Sequence, residues 1–329
     1  MLKLCLLTTT ALVLAATPAF AADFSKDRID VIVKATTSQY WATVFDGAEA
    51  AANKLGVTIS KLGAPAETDV AQEVSIMENA IQSKPTAIVI AATNAQALAQ
   101  PIAAATNAGI PVVVIDSNAN TDKYVTFLAT NNVIGGEKAA DQIAQCVKAR
   151  TGKDEGEIGY MTALAGAQSL NDRDKGFVDE LKKYPGLRIV DHRVGNNDPG
   201  RALSDAEDIL TSHPKLAGLF ADNELEGDGA GRAIQEKNLG SKLCAVAFDT
   251  SDQEVGFLRH GELDGLIVQN PYMMGYAGVW YALSAANGVV LPHTVDSGVR
   301  VVTKANIDSP QTAGLLDPKK YQLSPFFGG

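Results

Sequence analysis

The sequence has little of what a catalyst or a nucleic-acid binder works with. Its 329 residues hold four histidines (His192, His213, His260 and His293), and none stands at metal-ligand spacing. No G-x-S-x-G elbow is present, which removes the common signature of a serine hydrolase. Gly227, Gly229 and Gly231 repeat at every second position, not at the G-x-G-x-x-G spacing of a dinucleotide site. Asp222-Asn223-Glu224-Leu225-Glu226-Gly227 begins like a calcium loop, but Ala233 stands at the twelfth place, where a bidentate Glu belongs. No cofactor and no metal are therefore expected. Positive charge is also short. The 28 basic residues face 38 acidic ones for a net charge of −10, whereas a nucleic-acid partner would require a basic face. Beyond the N-terminus no stretch approaches the ~18 apolar residues of a membrane span, so no membrane anchor is expected.

The N-terminus carries an export signal in its pattern. Lys3 precedes an apolar run from Leu4 to Ala16, and Ala19-Phe20-Ala21 supplies a small-x-small cleavage site. Residues 1–21 are thus read as a signal peptide removed after Ala21. Cys5 lies too early to be a lipid-attachment cysteine. What remains, roughly 300 residues, is long for one core and comfortable for two. It retains two cysteines, Cys146 and Cys244, in a compartment that permits a disulfide. Whether they meet is a question of Cα separation that the sequence leaves open.

Short apolar runs alternate with helix-period segments. Ile29–Val33 reads as a strand, and 40–55 as a helix stopped by Gly56. A strand at 57–60, a helix from about Glu67 to Ser83, a strand at 87–91, a helix at 95–108 and a strand at 111–115 follow. A strand at 124–129 and a helix at 133–149 open a second series, with strands at 157–161, 188–194, 217–221, 245–248 and 266–269. Pro271 opens a further helix at the favoured first position. Continuous apolar strands separated by helices describe parallel sheets covered on both faces. The fold class is α/β, as two successive doubly wound units. The segment after Asn306, with Pro310, Pro318 and Pro325, reads as an irregular surface tail.

Ligands of open parallel sheets bind outside the carboxyl ends of the strands, so the residues just past each apolar run are the candidates. Lys34, Thr36, Ser38, Tyr40 and Trp41 follow the first run, and Asp116 and Ser117 the fourth. In the second half the set is Asn171 and Arg173; Asn196, Asn197 and Asp198; Asn223 and Glu224; Asp249; and Gln269 with Asn270. Carboxylates and amides offer fixed acceptors and donors for hydroxyls, and aromatic faces cover the C–H faces of a ring. Such a set suits a sugar.

In order and spacing, these residues resemble the type I periplasmic sugar-binding proteins of the ribose-binding group. The resemblance covers essentially the whole mature chain. It is carried by Tyr40-Trp41 with Asp46-Gly47-Ala48, Gly109-Ile110-Pro111-Val112-Val113 ending at Asp116, and Asn131-Asn132 with Gly135-Gly136. It continues through Arg173 with Gly176-Phe177, Phe220-Ala221-Asp222-Asn223-Glu224, Phe248-Asp249 and Gln269. It implies two lobes, 22–131 plus 270–298 and 132–269 plus 299–329, joined by a three-strand hinge. It also implies a periplasmic monomer that closes on a sugar and passes it to the permease of an ABC importer, without catalysis. The ligand residues it implies are Lys34, Ser38, Tyr40, Trp41, Asp116, Ser117, Asn171, Arg173, Asn197, Asn223, Asp249 and Gln269. Departures from the ribose pattern are Ser38 for Asn, Ala91 for Asn, Ser117 for Arg, Asn171 for Arg and Asn197 for an aromatic. These turn the expectation away from ribose. Lys34 leaves three readings open: a donor to sugar oxygens, a partner for a sugar acid, or an ion pair with Asp116 or another acid. The alternative roles are a receptor-feeding sensor, a binder of a polyol, sugar acid, furanosyl signal or nucleoside, and, ranked below these, a periplasmic enzyme.

Overall fold

Ile29, Val31, Ile32 and Val33 are all fully buried, which requires helices on both faces of the sheet they enter. The structure, a computed structural model, describes residues 24–317. Residues 1–21, read from the sequence as a signal peptide, lie outside the described residues together with Pro318 and Pro325. The first sheet contains β1 (Arg28–Val33), β2 (Thr58–Gly63), β3 (Ala87–Ile90), β4 (Val112–Ile115), β5 (Thr126–Ala129) and β11 (Thr294–Asp296). Its order is β11-β5-β4-β3-β1-β2, and every ladder is parallel. The second sheet contains β6 (Glu155–Thr162), β7 (Gly186–Val194), β8 (Leu216–Ala221), β9 (Cys244–Phe248), β10 (Gly265–Val268) and β12 (Arg300–Val302). Its order, β12-β10-β9-β8-β6-β7, repeats the first, except that β12 runs antiparallel to β10. Strand order thus places the chain in the second sheet after β5, back in the first at β11, and again in the second at β12.

The helices that cover the sheets are α1 (Gln39–Leu55), α2 (Val70–Ser83), α3 (Ala99–Asn107), α4 (Asn132–Thr151), α5 (Gln168–Leu181), α6 (Pro199–Ser212), α7 (Glu224–Glu236), α8 (Asp252–His260), α9 (Pro271–Ala286) and α10 (Pro310–Leu316). One close helix pair in each half depends on glycine. In α1 against α9, a Cβ on Gly47 would stand 2.0 Å from the Tyr272 carbonyl oxygen. In α4 against α5, one on Gly136 would stand 2.0 Å from that of Arg173. Neither backbone can yield without separating the helices.

Three features went beyond the sequence reading. Cys146 on α4 and Cys244 on β9 are joined by a disulfide, with their Cα atoms 5.9 Å apart. The segment after Asn306 is not wholly irregular: α10 forms there, because Pro310 sits at the first helical position, where no N–H is missed. Thr312 is buried, and Leu315 and Leu316 pack on the second sheet's core. Finally, α2 begins at Val70, not near Glu67, which leaves Glu67 in a loop at the end of β2.

Candidate functional site

In both sheets the strand order reverses around the first strand, β1 or β6, and the crevice outside the strand ends opens there. A cavity lined by residues of both halves lies between the two sets of strand ends.

The wall from the first half is built on a buried ion pair. Lys34, one residue past β1, places Nζ 2.7 Å from Asp116 Oδ2, and both side chains are at least 96% buried. The same ammonium reaches Ser117 Oγ at 2.8 Å and Ser169 Oγ at 3.4 Å. Tyr40 donates its phenol to Asp116 Oδ1 at 2.8 Å. Burial pulls the Asp116 carboxyl upward, but the charges of Lys34 and Arg173 and the bonds from Lys34 and Tyr40 outweigh it, so its pKa is lowered. Burial, and then the charge of Asp116, push the Tyr40 phenol well above its usual value. Trp41 stands edge-on to Tyr40 with centroids 4.8 Å apart. Its indole N–H donates to Glu67 Oε1 at 2.7 Å. Ser38 caps α1 and also borders the cavity.

The opposite wall centres on Arg173 in α5. Its Nε donates to Asn132 at 2.9 Å and its Nη1 to the Asp222 carbonyl at 2.7 Å. The guanidinium lies 3.7 Å from the Phe248 ring centroid, and Nη1 is 3.7 Å from Asp249 Oδ2. Gln269 donates to Asp249 Oδ1 at 2.6 Å, while its own Oε1 is buried with no protein partner. Asn223 donates to Asn197 at 2.7 Å and caps α7. Burial raises the Asp249 pKa, against the pull of Arg173 and Gln269.

The halves also bond across the cavity. Glu224, at the start of α7, accepts from the backbone N–H of Gln39 at 3.0 Å and of Tyr40 at 2.6 Å. It therefore caps α1, whose own first turn holds no acid. Burial nevertheless raises its pKa to about 8. The Ser117 and Ser169 hydroxyls, from opposite halves, bond at 2.6 Å.

Of the twelve residues expected at the site, ten border this cavity: Lys34, Ser38, Tyr40, Trp41, Asp116, Arg173, Asn197, Asn223, Asp249 and Gln269. Two do not. Ser117 is buried behind Lys34 as its acceptor. Asn171 is exposed, because α5 starts at Gln168 and its period carries 169, 170 and 173 inward but turns 171 to solvent. The cavity also contains Glu67, Ser169, Leu170, Glu224 and Leu225. Glu224 stood in the strand-end set; the others gave no sequence signal, since they lie past a helix cap or in a loop read as helix.

Residues 29–289 match the family described as periplasmic binding protein domain, and the chain belongs to that family. A carbohydrate transporter solute binding protein from Agrobacterium radiobacter, solved with D-arabinose, is 42% identical with a TM-score of 0.87, over 88% of this chain and 99% of that one. An ABC transporter solute binding protein from Agrobacterium vitis, with bound D-fucose, is 37% identical with a TM-score of 0.84, over 88% and 100%. The ribose import binding protein of Escherichia coli is 27% identical over 280 residues, covering 85% of this chain and 92% of that protein.

Proposed function

We propose that this chain is the exported, periplasmic binding component of an ABC importer, and that it captures a monosaccharide between two closing lobes. The lobes are 22–131 with 270–298, and 132–269 with 299–329. The ten cavity residues expected at the site, with Glu67 and Glu224, are its ligand contacts. Residues 1–21 direct export, and the closed protein presents one composite face to a permease. The observation that carries this reading is the convergence of hydroxyl-binding groups from both halves on one cavity with an aromatic wall. The related proteins solved with D-arabinose and D-fucose support a neutral pentose or deoxyhexose as first candidate.

Sugar contacts both walls only when the lobes are closed, and that differential contact drives closure. A thermal-shift screen of monosaccharides, polyols, sugar acids and nucleosides tests it. A ligand at a thousandfold excess over its Kd adds about 4 kcal/mol, which raises the melting temperature by several degrees. Recovery of the ligand unchanged after prolonged incubation is expected. A chemically altered product, or a best ligand without hydroxyls, would defeat the reading.

A further inference from the structure

Glu67 stands out within the cavity. It is 93% buried, since its exposure is 7%. Its Oε1 is held by the Trp41 indole at 2.7 Å, and among the described residues no protein donor engages its Oε2. Trp41 thus fixes the carboxyl in orientation while leaving one oxygen directed to the cavity it borders. The nearby position past β3 is Ala91, which is apolar and fully buried, so the adjoining strand end supplies no side-chain polar group.

The Lys34 cation of the cavity is meanwhile committed. Lys34 has three donors, and Asp116, Ser117 and Ser169 lie within 3.4 Å or less of its Nζ. Arg173 bonds through Nε and Nη1, stacks on Phe248 and faces Asp249. Four carboxyls (Glu67, Asp116, Glu224 and Asp249) thus line the cavity against two cations, of which Lys34 is paired with Asp116 and Arg173 keeps Nη2 without a protein acceptor among the described residues. An anionic ligand would meet the free carboxylate oxygen of Glu67.

We propose that Glu67 is a specificity-determining residue: its free oxygen accepts from a hydroxyl or ammonium of the ligand, so the site takes neutral and amino-substituted monosaccharides and rejects uronic acids. This rests on the sugar-binding reading above and sharpens it. It also answers the Lys34 charge with Asp116 and not with an incoming carboxylate.

Calorimetry with galactose, arabinose, fucose, galactosamine and galacturonate tests it on the full mature chain and on Glu67→Gln and Glu67→Ala. The Gln variant keeps an acceptor for Trp41, and its unchanged melting temperature confirms an intact fold. The wild type is expected to bind its best neutral sugar at least about 100-fold tighter than galacturonate, or about 2.7 kcal/mol. Galactosamine should lie within about tenfold of galactose. In Glu67→Gln the neutral-to-uronate ratio should fall at least about tenfold, and the galactosamine affinity should fall relative to galactose. A uronate bound as tightly as the neutral sugars, or ratios unchanged in both variants, overturns the role of Glu67 while leaving sugar binding standing. No binding of any neutral monosaccharide by the wild type overturns both.

Discussion

Asp116 and Asp249 occupy the same place in successive sheets. Each follows the fourth strand of its half, each has a positive φ (59° and 80°), and each donates its backbone N–H to the third residue of the next strand. These bonds, to Leu128 at 3.1 Å and Ile267 at 2.9 Å, hold both in a left-handed conformation that disfavours most side chains but tolerates Asp and Asn. The scaffold is duplicated, yet the chemistry is not. Asp116 touches a lysine at 2.7 Å and its pKa is lowered; Asp249 faces an arginine at 3.7 Å and burial raises its pKa. One wall of the cleft is thus internally neutralised. The other holds its acid by a Gln269 bond without a close cation, and Gln269 Oε1 is unpaired among the described residues.

Replacing each aspartate by asparagine breaks the comparison most sharply, because Asn keeps the shape and accepts the backbone geometry. Asp116→Asn leaves the Lys34 ammonium buried without its counter-charge, a change of about 3–5 kcal/mol in stability. Asp249→Asn leaves Arg173 with its bonds to Asn132 and Asp222 and its aromatic contact, so about 1 kcal/mol is expected. Chemical denaturation of the two variants measures the difference directly. Equal losses would mean that the two walls are alike in energy as well as in backbone.

A second test concerns the bond between the walls. Glu224 carries a pKa of about 8 when it caps α1 across the cavity, against 4.5 when free. Under the proposed hinge closure, the closed form then binds more protons than an open form in which Glu224 is solvated. By linkage, closure is strongest below about pH 4.5, weakens as pH rises, and levels off above about 8. Ligand affinity should fall roughly tenfold or more across that window, and Glu224→Gln should flatten the profile. Glu73 (about 7), Asp174 (about 6) and Asp228 (about 6) titrate in the same range, but their hydrogen bonds, to Thr93, Thr162 and Ser251, stay within one half. A slope that persists in Glu224→Gln would assign the pH dependence to them.

How much of this was legible follows from what each signal depends on. Apolar runs report burial on both faces, which made the inner strands of the two repeated units readable; β2 and β7, edge strands that are mostly exposed or half-buried, were read from their place in the alternation. The three-residue β11 and β12 were not, because their burial is partial and their pairing comes from chain crossings. Residues immediately past a strand, such as Lys34, Asp116 and Asp249, were legible as site candidates because strand ends fix their direction. Asn171 misled because it lies inside a helix, where direction depends on the helix start. Glu67 was hidden for the converse reason: its apolar surroundings extend the α2 pattern back by three residues, although the chain there is a loop. The Lys34–Asp116 pair was one of three readings, and its 2.7 Å distance is a tertiary contact that no local pattern encodes.

A further test lies deeper in the second half. Glu226 on α7 is fully buried, and neither carboxyl oxygen has a hydrogen-bond partner among the described residues. Burial, and then the charge of Asp205, raise its pKa to about 8. It faces the Gly195 backbone so closely that a Cβ there would meet its Oε1 at 2.2 Å. No ligand role is needed to account for a cost of this kind, which grows as pH rises from about 4.5 toward 8. Glu226→Met keeps the length, fills the same space and removes the unpaired polar atoms, so stability at pH 8 should rise by about 1–2 kcal/mol. At pH 5, where the carboxyl is protonated, the gain should shrink by more than half. Denaturant midpoints of the variant and wild type at both pH values read this out, and a loss of stability at pH 8 would show that Glu226 is paired through water and contributes to the fold.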